Sequence, residues 1–377
     1  MQDNTPVVVE AIRTPQGKQD GVFADVASEH LAIPLVNEIL TRTGLEGTDV
    51  EDLMMGCARP VESQAANIGR VVALLSELGE KVPATTFNRQ CGSSAQAINS
   101  AADAIRAGQH DVIMAGGVEN MTQVDIPSMR RYEGIAERYD EDDLPMGHTA
   151  ERVAEQYDVS RDAQDEYAAR SQQRACAATD AGRFDDEIIP IETDEGLVDT
   201  DEGLRPGTTK EKIADLPPVF EEDGTVTAAN ASQISDGASM TLLTSLGFAK
   251  EHGLDILAEV GAHNVAGVDP RIMGIGPIPA VKGIWERTGR GPEDYDLIEL
   301  NEAFASQTLA CQRELGFDDD VFNVNGGAIA IGHPVGASGA RLPVTLIHEL
   351  GRRGGGRGLT TLCVGYGQGV ATEFDVR

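Results

Sequence analysis

The chain has 377 residues, too many for one ordinary core, so two or three domains, or one fold built twice, are expected. Its 62 acidic residues against 30 basic ones leave a formal net charge of -32, which makes nucleic acid and anionic membrane poor partners. The acids are spread along the chain rather than gathered in a tail, which speaks against a disordered acidic arm, and 41% hydrophobic residues suffice to fill real cores.

In chain order, residues 5–11 (TPVVVEA) read as a buried strand, 27–40 as a helix, 53–57 as a strand and 65–78 as a helix. Alternation at this pitch predicts a parallel α/β sheet. Residues 120–236 are polar, rich in turns and interrupted by Pro and Gly. They read as an insertion with one long helix, 160–182, opened by Ser160 and Asp162 and closed by Gly182. Strand and helix alternation resumes from Ala238. A duplication joins the two ends. Cys91-Gly-Ser-Ser opens a helix to Gly108, followed by a strand at 111–115 and Gly116-Gly117. His333 likewise sits where a helix to Leu350 opens, followed by a strand at 359–364 and Gly365. The expected organisation is an N-terminal half (1–117 plus 235–258), an inserted domain (118–234) and a C-terminal half (259–377).

Only six of the basic residues are lysine (Lys18, Lys81, Lys210, Lys212, Lys250, Lys282), and so acidic a surface repels itself unless salt screens it. This is read as adaptation to a salt-rich cytoplasm. Five cysteines (Cys57, Cys91, Cys176, Cys311, Cys363) are widely spaced, with no CxxC pair, which argues against a zinc site or a disulfide framework. No apolar run is long enough to span a bilayer and the N-terminus has no signal pattern, so a cytoplasmic protein with reduced thiols is expected.

Four places carry chemistry. Cys91 lies in NRQCGSS, just before a helix expected to begin at about Ser93. A thiol there faces free N–H groups and the positive end of the helix dipole, which favour the nucleophilic thiolate. His333 lies in NGGAIAIGHPVGASG, where glycines allow close approach of a ligand and the imidazole can act as base or oxyanion donor. Cys363 ends an apolar strand in LCVGYGQG, a setting that by itself also suits a core residue. Asn301 opens NEAFA after a strand and can hold a water or an oxyanion, or cap the helix expected over 302–315.

These motifs resemble the thiolase family along nearly the whole chain. The resemblance rests on NRQCGSS (88–94), NEAF (301–304), GHP (332–334) and CVG (363–365), in that order. Weaker matches cover Arg13-Thr14-Pro15, Met146-Gly147 through Glu151, RPGTT (205–209), Asn230-Ala-Ser and MGIGP (273–277). The resemblance implies an α/β fold of two similar halves in five layers, α-β-α-β-α, with an inserted loop domain. It implies an acyl-CoA C-acyltransferase: thiolytic cleavage of a 3-ketoacyl-CoA through an acyl-Cys91 intermediate, with His333 as base. The enolate is then held by His333 and a water on Asn301, Cys363 is the second acid–base, and a further oxyanion hole comes from the N–H groups of Cys91 and Gly365. Coenzyme A is a substrate and no metal or redox cofactor is expected. Arg205, Lys210 and Lys212 match the segment that contacts the nucleotide end of CoA. Ser232, Met273, Ala303 and Phe304 match positions lining the pantetheine tunnel.

Residues 122–144 do not resemble the loop by which many thiolases form tetramers, so a homodimer is expected, with a homotetramer as the alternative. Ser94, Tyr366 and Gln368 resemble the degradative 3-ketoacyl-CoA type, with a biosynthetic acetoacetyl-CoA thiolase as the rival reading. A non-catalytic lipid-carrier or scaffold relative would have lost a reactive residue, and none is lost. A decarboxylating ketoacyl synthase normally pairs its cysteine with two histidines, whereas the third position here is Cys363.

Overall fold

The computed structural model describes residues 3–124, 133–139 and 144–377. The N-terminal half contributes β1 (Pro6–Arg13), α1 (Ser28–Thr43), β2 (Asp52–Gly56), α2 (Ile68–Leu75), β3 (Ala84–Phe87), α3 (Ser93–Arg106) and β4 (Val112–Asn120). The insertion follows with α4 (Met146–Gln156) and α5 (Arg161–Asp180), and the chain returns through β5 (Ser235–Ser245). The C-terminal half contributes β6 (Ala258–Gly267), α6 (Pro277–Thr288), β7 (Leu297–Leu300), α7 (Ala305–Leu315), α8 (Val335–Arg352), β8 (Gly356–Val364) and β9 (Gln368–Val376).

The first half orders its strands β3-β2-β4-β5-β1, the second β6-β9-β8-β7, and β1 meets β6 at Val7–Val8. The two halves share one pattern. In each, the first strand runs antiparallel to the last, the last antiparallel to the strand after the reactive helix, and that strand parallel to its outer neighbour. The sheet is therefore mixed, which corrects the expectation of a parallel one. Parallel pairing needs a crossover helix, and β8 and β9 are joined by only three residues. In that turn Tyr366 (φ 63°) and Gly367 (φ 81°) adopt the left-handed conformation that a tight hairpin requires.

Both faces of β1 and β4 are buried, which explains their continuous apolar runs. Val112 and Met114 point to an outer core shared with α1 and α2, while Ile113 and Ala115 point to a central core shared with α3 and α8. On the other side, Leu297 and Phe374 join that central core, and Ile298 and Leu359 join a third core under α6 and α7. The layers run α-β-α-β-α. The central layer is thin because α3 presents Ala97, Ala101 and Ala102, and α8 has Gly339, where a Cβ would lie 2.5 Å from the Ala95 nitrogen. This close approach brings the starts of α3 and α8 together.

The long helix begins as expected: Ser160 Oγ accepts the Ala163 N–H at 3.2 Å, capping α5. The insertion is pinned to the body by Arg13. Its fully buried guanidinium donates to Glu187 at 2.6 Å and to both oxygens of Asp201 at 2.7 and 3.0 Å. Among the described residues, no helix is long and apolar enough to cross a membrane.

Candidate active site

Cys91 sits in a turn rather than in α3 itself. Gln90 takes φ 46°, and the Gly92 and Ser93 N–H groups donate back to Arg89 O and Gln90 O at 2.9 and 3.0 Å. Ser93 Oγ accepts the Arg89 N–H at 3.0 Å, and Gly92 is the N-cap. The thiol is 6% exposed. Burial pushes it up to about 11, while the N–H groups of Gly365 and of Cys91 itself act the other way. The N–H groups favour the thiolate, as expected for this position, but desolvation outweighs them.

The Gly365 N–H reaches Cys91 from the turn after β8, and Cys363 is the penultimate residue of that strand. Cys363 is 1% exposed. Burial, followed by the nearby Cys91 and Cys311, holds its thiol well above the usual range. Burial thus favours the protonated form of both thiols.

His333 stands just before α8, held by its backbone N–H to Ser235 Oγ at 3.2 Å and to Gln233 O at 3.3 Å. Its Nδ1 lies 2.6 Å from Ser338 Oγ, whose own hydroxyl donates to Pro334 O at 2.9 Å. This assigns the proton to Nδ1 and leaves Nε2 as acceptor, 3.3 Å from the Asn301 amide nitrogen. Burial, with Arg341 adding to it, drives the imidazole down to about 3, so it is neutral and can receive a proton.

Asn301 is fully buried and does not cap a helix. The helix starts later, at Ala305, with Phe304 at its N-cap, because residues 301–304 form an extended turn. Asn301 N–H donates to Thr361 O at 3.0 Å, fixing it beside the strand that bears Cys363, and its Oδ1 is left without a partner. Glu302, next in the motif, stiffens this turn. It accepts from Tyr167 Oη at 2.7 Å, Ser171 Oγ at 2.6 Å and Ile329 N at 3.1 Å.

The expected CoA-binding residues fall into two groups. Met273, Ala303 and Phe304 pack with Cys363, Ala150 and Val226 in one small apolar cluster, and the Ser232 N–H donates to Ala303 O at 2.9 Å. Phe220 closes on Phe304 edge to face, with centroids 6.3 Å apart. Arg205 is exposed on the insertion, whereas Lys210 Nζ is held by Asp162 at 2.7 Å and Glu166 at 3.6 Å, and Lys212 Nζ by Gly207 O at 2.6 Å.

Sequence reasoning passed over two supports. Ser338 lay within the glycine-flanked stretch already singled out, and its place five residues after His333 was the available signal. Glu119, fully buried at the end of β4, accepts from the N–H groups of Ala58 (2.7 Å) and Arg59 (3.0 Å) and from Gln64 Nε2 (2.6 Å). It also accepts from Gly336 N–H in the first turn of α8. It thereby ties the nucleophile's surroundings to the histidine's helix, and a lone acid after two glycines gave no sign of this.

Comparison with known proteins agrees with this geometry. Residues 6–246 match the family model described as thiolase, N-terminal domain, and residues 254–376 the thiolase C-terminal domain. The chain is 45% identical to an acetyl-CoA acetyltransferase of Pseudomonas aeruginosa, covering 98% of each sequence. It is also 45% identical to a 3-ketoacyl-CoA thiolase of Serratia proteamaculans, again covering 98% of each. Among solved structures, the dimeric peroxisomal thiolase of Saccharomyces cerevisiae superposes with a TM-score of 0.94 at 37% identity, covering 100% of this chain and 98% of that one. The acetyl-CoA acetyltransferase of Bacillus anthracis gives 0.90 at 40% identity, covering 99% of each. With both halves matched and the layers in the same arrangement, the chain belongs to the thiolase family and has the thiolase fold.

Proposed function

We propose that the chain is an acyl-CoA C-acyltransferase that cleaves 3-ketoacyl-CoA with CoA to acetyl-CoA and a shortened acyl-CoA. The observation that most supports it is the N–H of Gly365 on the Cys91 sulfur, with a second buried thiol, Cys363, two residues before Gly365 and within the electrostatic reach of Cys91. Cys91 passes its proton to Nε2 of His333 as its sulfur bonds to C3 of the substrate. The C2–C3 bond then breaks and its electron pair leaves on the acetyl-CoA enolate. The enolate oxygen is held by protonated His333 and by a water on Asn301, whose unpartnered Oδ1 suits that water. Cys363 gives its proton to C2, then takes the thiol proton of the incoming CoA. The CoA sulfur attacks acyl-Cys91, and Cys91 leaves and is reprotonated. The N–H groups of Cys91 and Gly365 stabilise the tetrahedral oxyanions. Every step is acid–base or acyl transfer, so the mechanism calls for no metal or redox cofactor.

In this reading the pantetheine arm lies against Ser232, Met273, Ala303 and Phe304, and the CoA phosphates meet Arg205, Lys210 and Lys212. Arg205 is the exposed member, while Lys210 has to leave Asp162 to reach a phosphate. We further propose the division into halves at 1–117 plus 235–258 and 259–377, with 118–234 as the inserted CoA-binding domain. A homodimer is supported by the edge strand β3 and by exposed Val61, Leu74 and Leu75 on that side of the sheet. Most of the segment 122–144, where a tetramer contact was considered, lies outside the described residues.

The cytoplasm of a salt-loving cell, and a role in fatty-acid β-oxidation, complete the proposal. Raising KCl from dilute buffer to molar concentration should raise the melting temperature markedly, as the Debye length shrinks to about 3 Å. A melting temperature unchanged across that range rejects the halophilic reading.

Substrate choice separates the degradative reading from a biosynthetic acetoacetyl-CoA thiolase, which the Pseudomonas relative's name favours. Each methylene buried in an acyl tunnel adds roughly 0.8 kcal/mol. Thiolysis of medium-chain 3-ketoacyl-CoA is therefore expected to be at least comparable to that of acetoacetyl-CoA. Comparing kcat/KM for four-, six-, eight- and ten-carbon substrates tests this, and a steep fall beyond four carbons hands the case to the biosynthetic reading.

A further inference from the structure

The two reactive loops come from opposite halves of the molecule. The first is the turn 89–92, which lifts Cys91 to the start of α3. The second is the turn 365–367, which closes the β8–β9 hairpin and offers the Gly365 N–H. Both turns are held in conformations that ordinary side chains seldom adopt: Gln90 at φ 46° and Tyr366 at φ 63°. Each turn is anchored in its own half, the first on α3 and the second on the β8–β9 hairpin. What spans them is a side-chain bridge. Arg89 Nη1 donates to Gln368 Oε1 at 2.8 Å, and Arg89 Nε donates to Gln96 Oε1 at 2.9 Å. Gln96 is locked in turn by its amide donating to Ser100 Oγ at 2.9 Å.

The anchors at both ends are firm. The Arg89 N–H is held by Ser93 Oγ, so the guanidinium is launched from a fixed backbone two residues before Cys91. Gln368 forms the last pair of the hairpin, opposite Val364, and also pairs with Gly267 of β6. Its backbone is wedged against Gly276, where a Cβ would meet Gln368 O at 2.0 Å. The distance between Arg89 and Gln368 therefore sets the distance between the two turns. Gly92 is pressed on Val364 and Val370, and the Gly365 N–H crosses the same gap to the Cys91 sulfur. The bridge adds a second directional contact.

We propose that Arg89 and Gln368 are a positioning pair, whose hydrogen bond across the two loops aims the Gly365 N–H at the Cys91 sulfur and keeps Cys363 facing it. The proposal rests on the roles given above to Cys91 and Gly365. Neither Arg89 nor Gln368 is a catalytic residue; each acts through the backbone that it fixes. In this chain Gln368, which sequence reading had used only as a marker of type, acquires a mechanical task.

The test is a double-mutant cycle on the full-length enzyme with Q368M, R89M and the double variant. Methionine keeps length and apolar bulk but neither accepts nor donates at this distance. Mis-aiming one oxyanion donor should lower kcat about tenfold in each single variant, with KM for acyl-CoA within about twofold. Losing the Gly365 donor also raises the energy of the thiolate, so the pH midpoint for alkylation of Cys91 by iodoacetamide should move upward. The double variant should be no slower than R89M, because the Arg89–Gln368 bond is already lost there, and R89M loses the Gln96 bond besides. Q368E keeps an acceptor for Arg89 and should recover most of the wild-type kcat, which guards against a loss due to folding alone. Wild-type kcat and alkylation midpoint in Q368M overturn the proposal, as do losses that multiply in the double variant, or Q368E as slow as Q368M. Failure of the underlying assignment would look different: iodoacetamide would leave Cys91 unlabelled in the wild type.

Discussion

Cys91→Ala removes thiolysis, with kcat falling on the order of 10⁶-fold, as expected when a covalent nucleophile is deleted. The loss belongs to chemistry and not to binding. The apolar cluster of Met273, Ala303, Phe304 and Cys363 does not include Cys91, which packs instead with Ala58, Ala95, Val335 and Val364. CoA affinity, measured by calorimetry, should therefore stay within a few-fold of the wild type. Appreciable turnover in the purified variant would remove Cys91 from the reaction.

Cys363→Ala is expected to lower kcat by roughly 10²- to 10⁴-fold, the usual contribution of a general acid–base. Its thiol is held neutral by burial and by the neighbouring Cys91, so at rest it is poised to donate a proton to the enolate. In the proposed mechanism it becomes a base only after that donation, when the acetyl-CoA has left and the CoA thiol arrives, so both half-reactions should slow. A variant with near-normal turnover and an intact fold would show that solvent or His333 supplies these protons.

The duplication was legible because its signals are local. A small-residue run opening a helix, a strand and a glycine at the strand's end recur near Cys91 and near His333, and α3–β4 and α8–β8 follow that order. Strand direction was not legible, since β5 (SDGASMTLLTS) and β9 (QGVATEFDV) carry nothing in their composition that separates antiparallel from parallel pairing. Mostly buried on both faces, they lose the clean alternation that marks a sheet open to water. The candidate reactive residues could be picked out as isolated motifs, but their protonation could not. A helix start favours a thiolate, and only the 6% exposure of Cys91 shows that desolvation prevails. Partners distant in sequence were likewise beyond reach. Gln368 meets Arg89 across 279 positions, and Glu119 meets the loop after β2 across about 60. The basic trio shows a further limit: its composition suggested three phosphate ligands, and acids on α5 occupy one of them.

The central claim is that acyl transfer passes through a thioester on Cys91. Incubating the wild-type enzyme with acetyl-CoA, quenching in acid and mapping the peptides by mass spectrometry tests it most directly. The predicted result is acetyl on the peptide bearing Cys91, with Cys57, Cys176, Cys311 and Cys363 unmodified. Acetyl on Cys363 or on any other residue, with Cys91 bare, would contradict it.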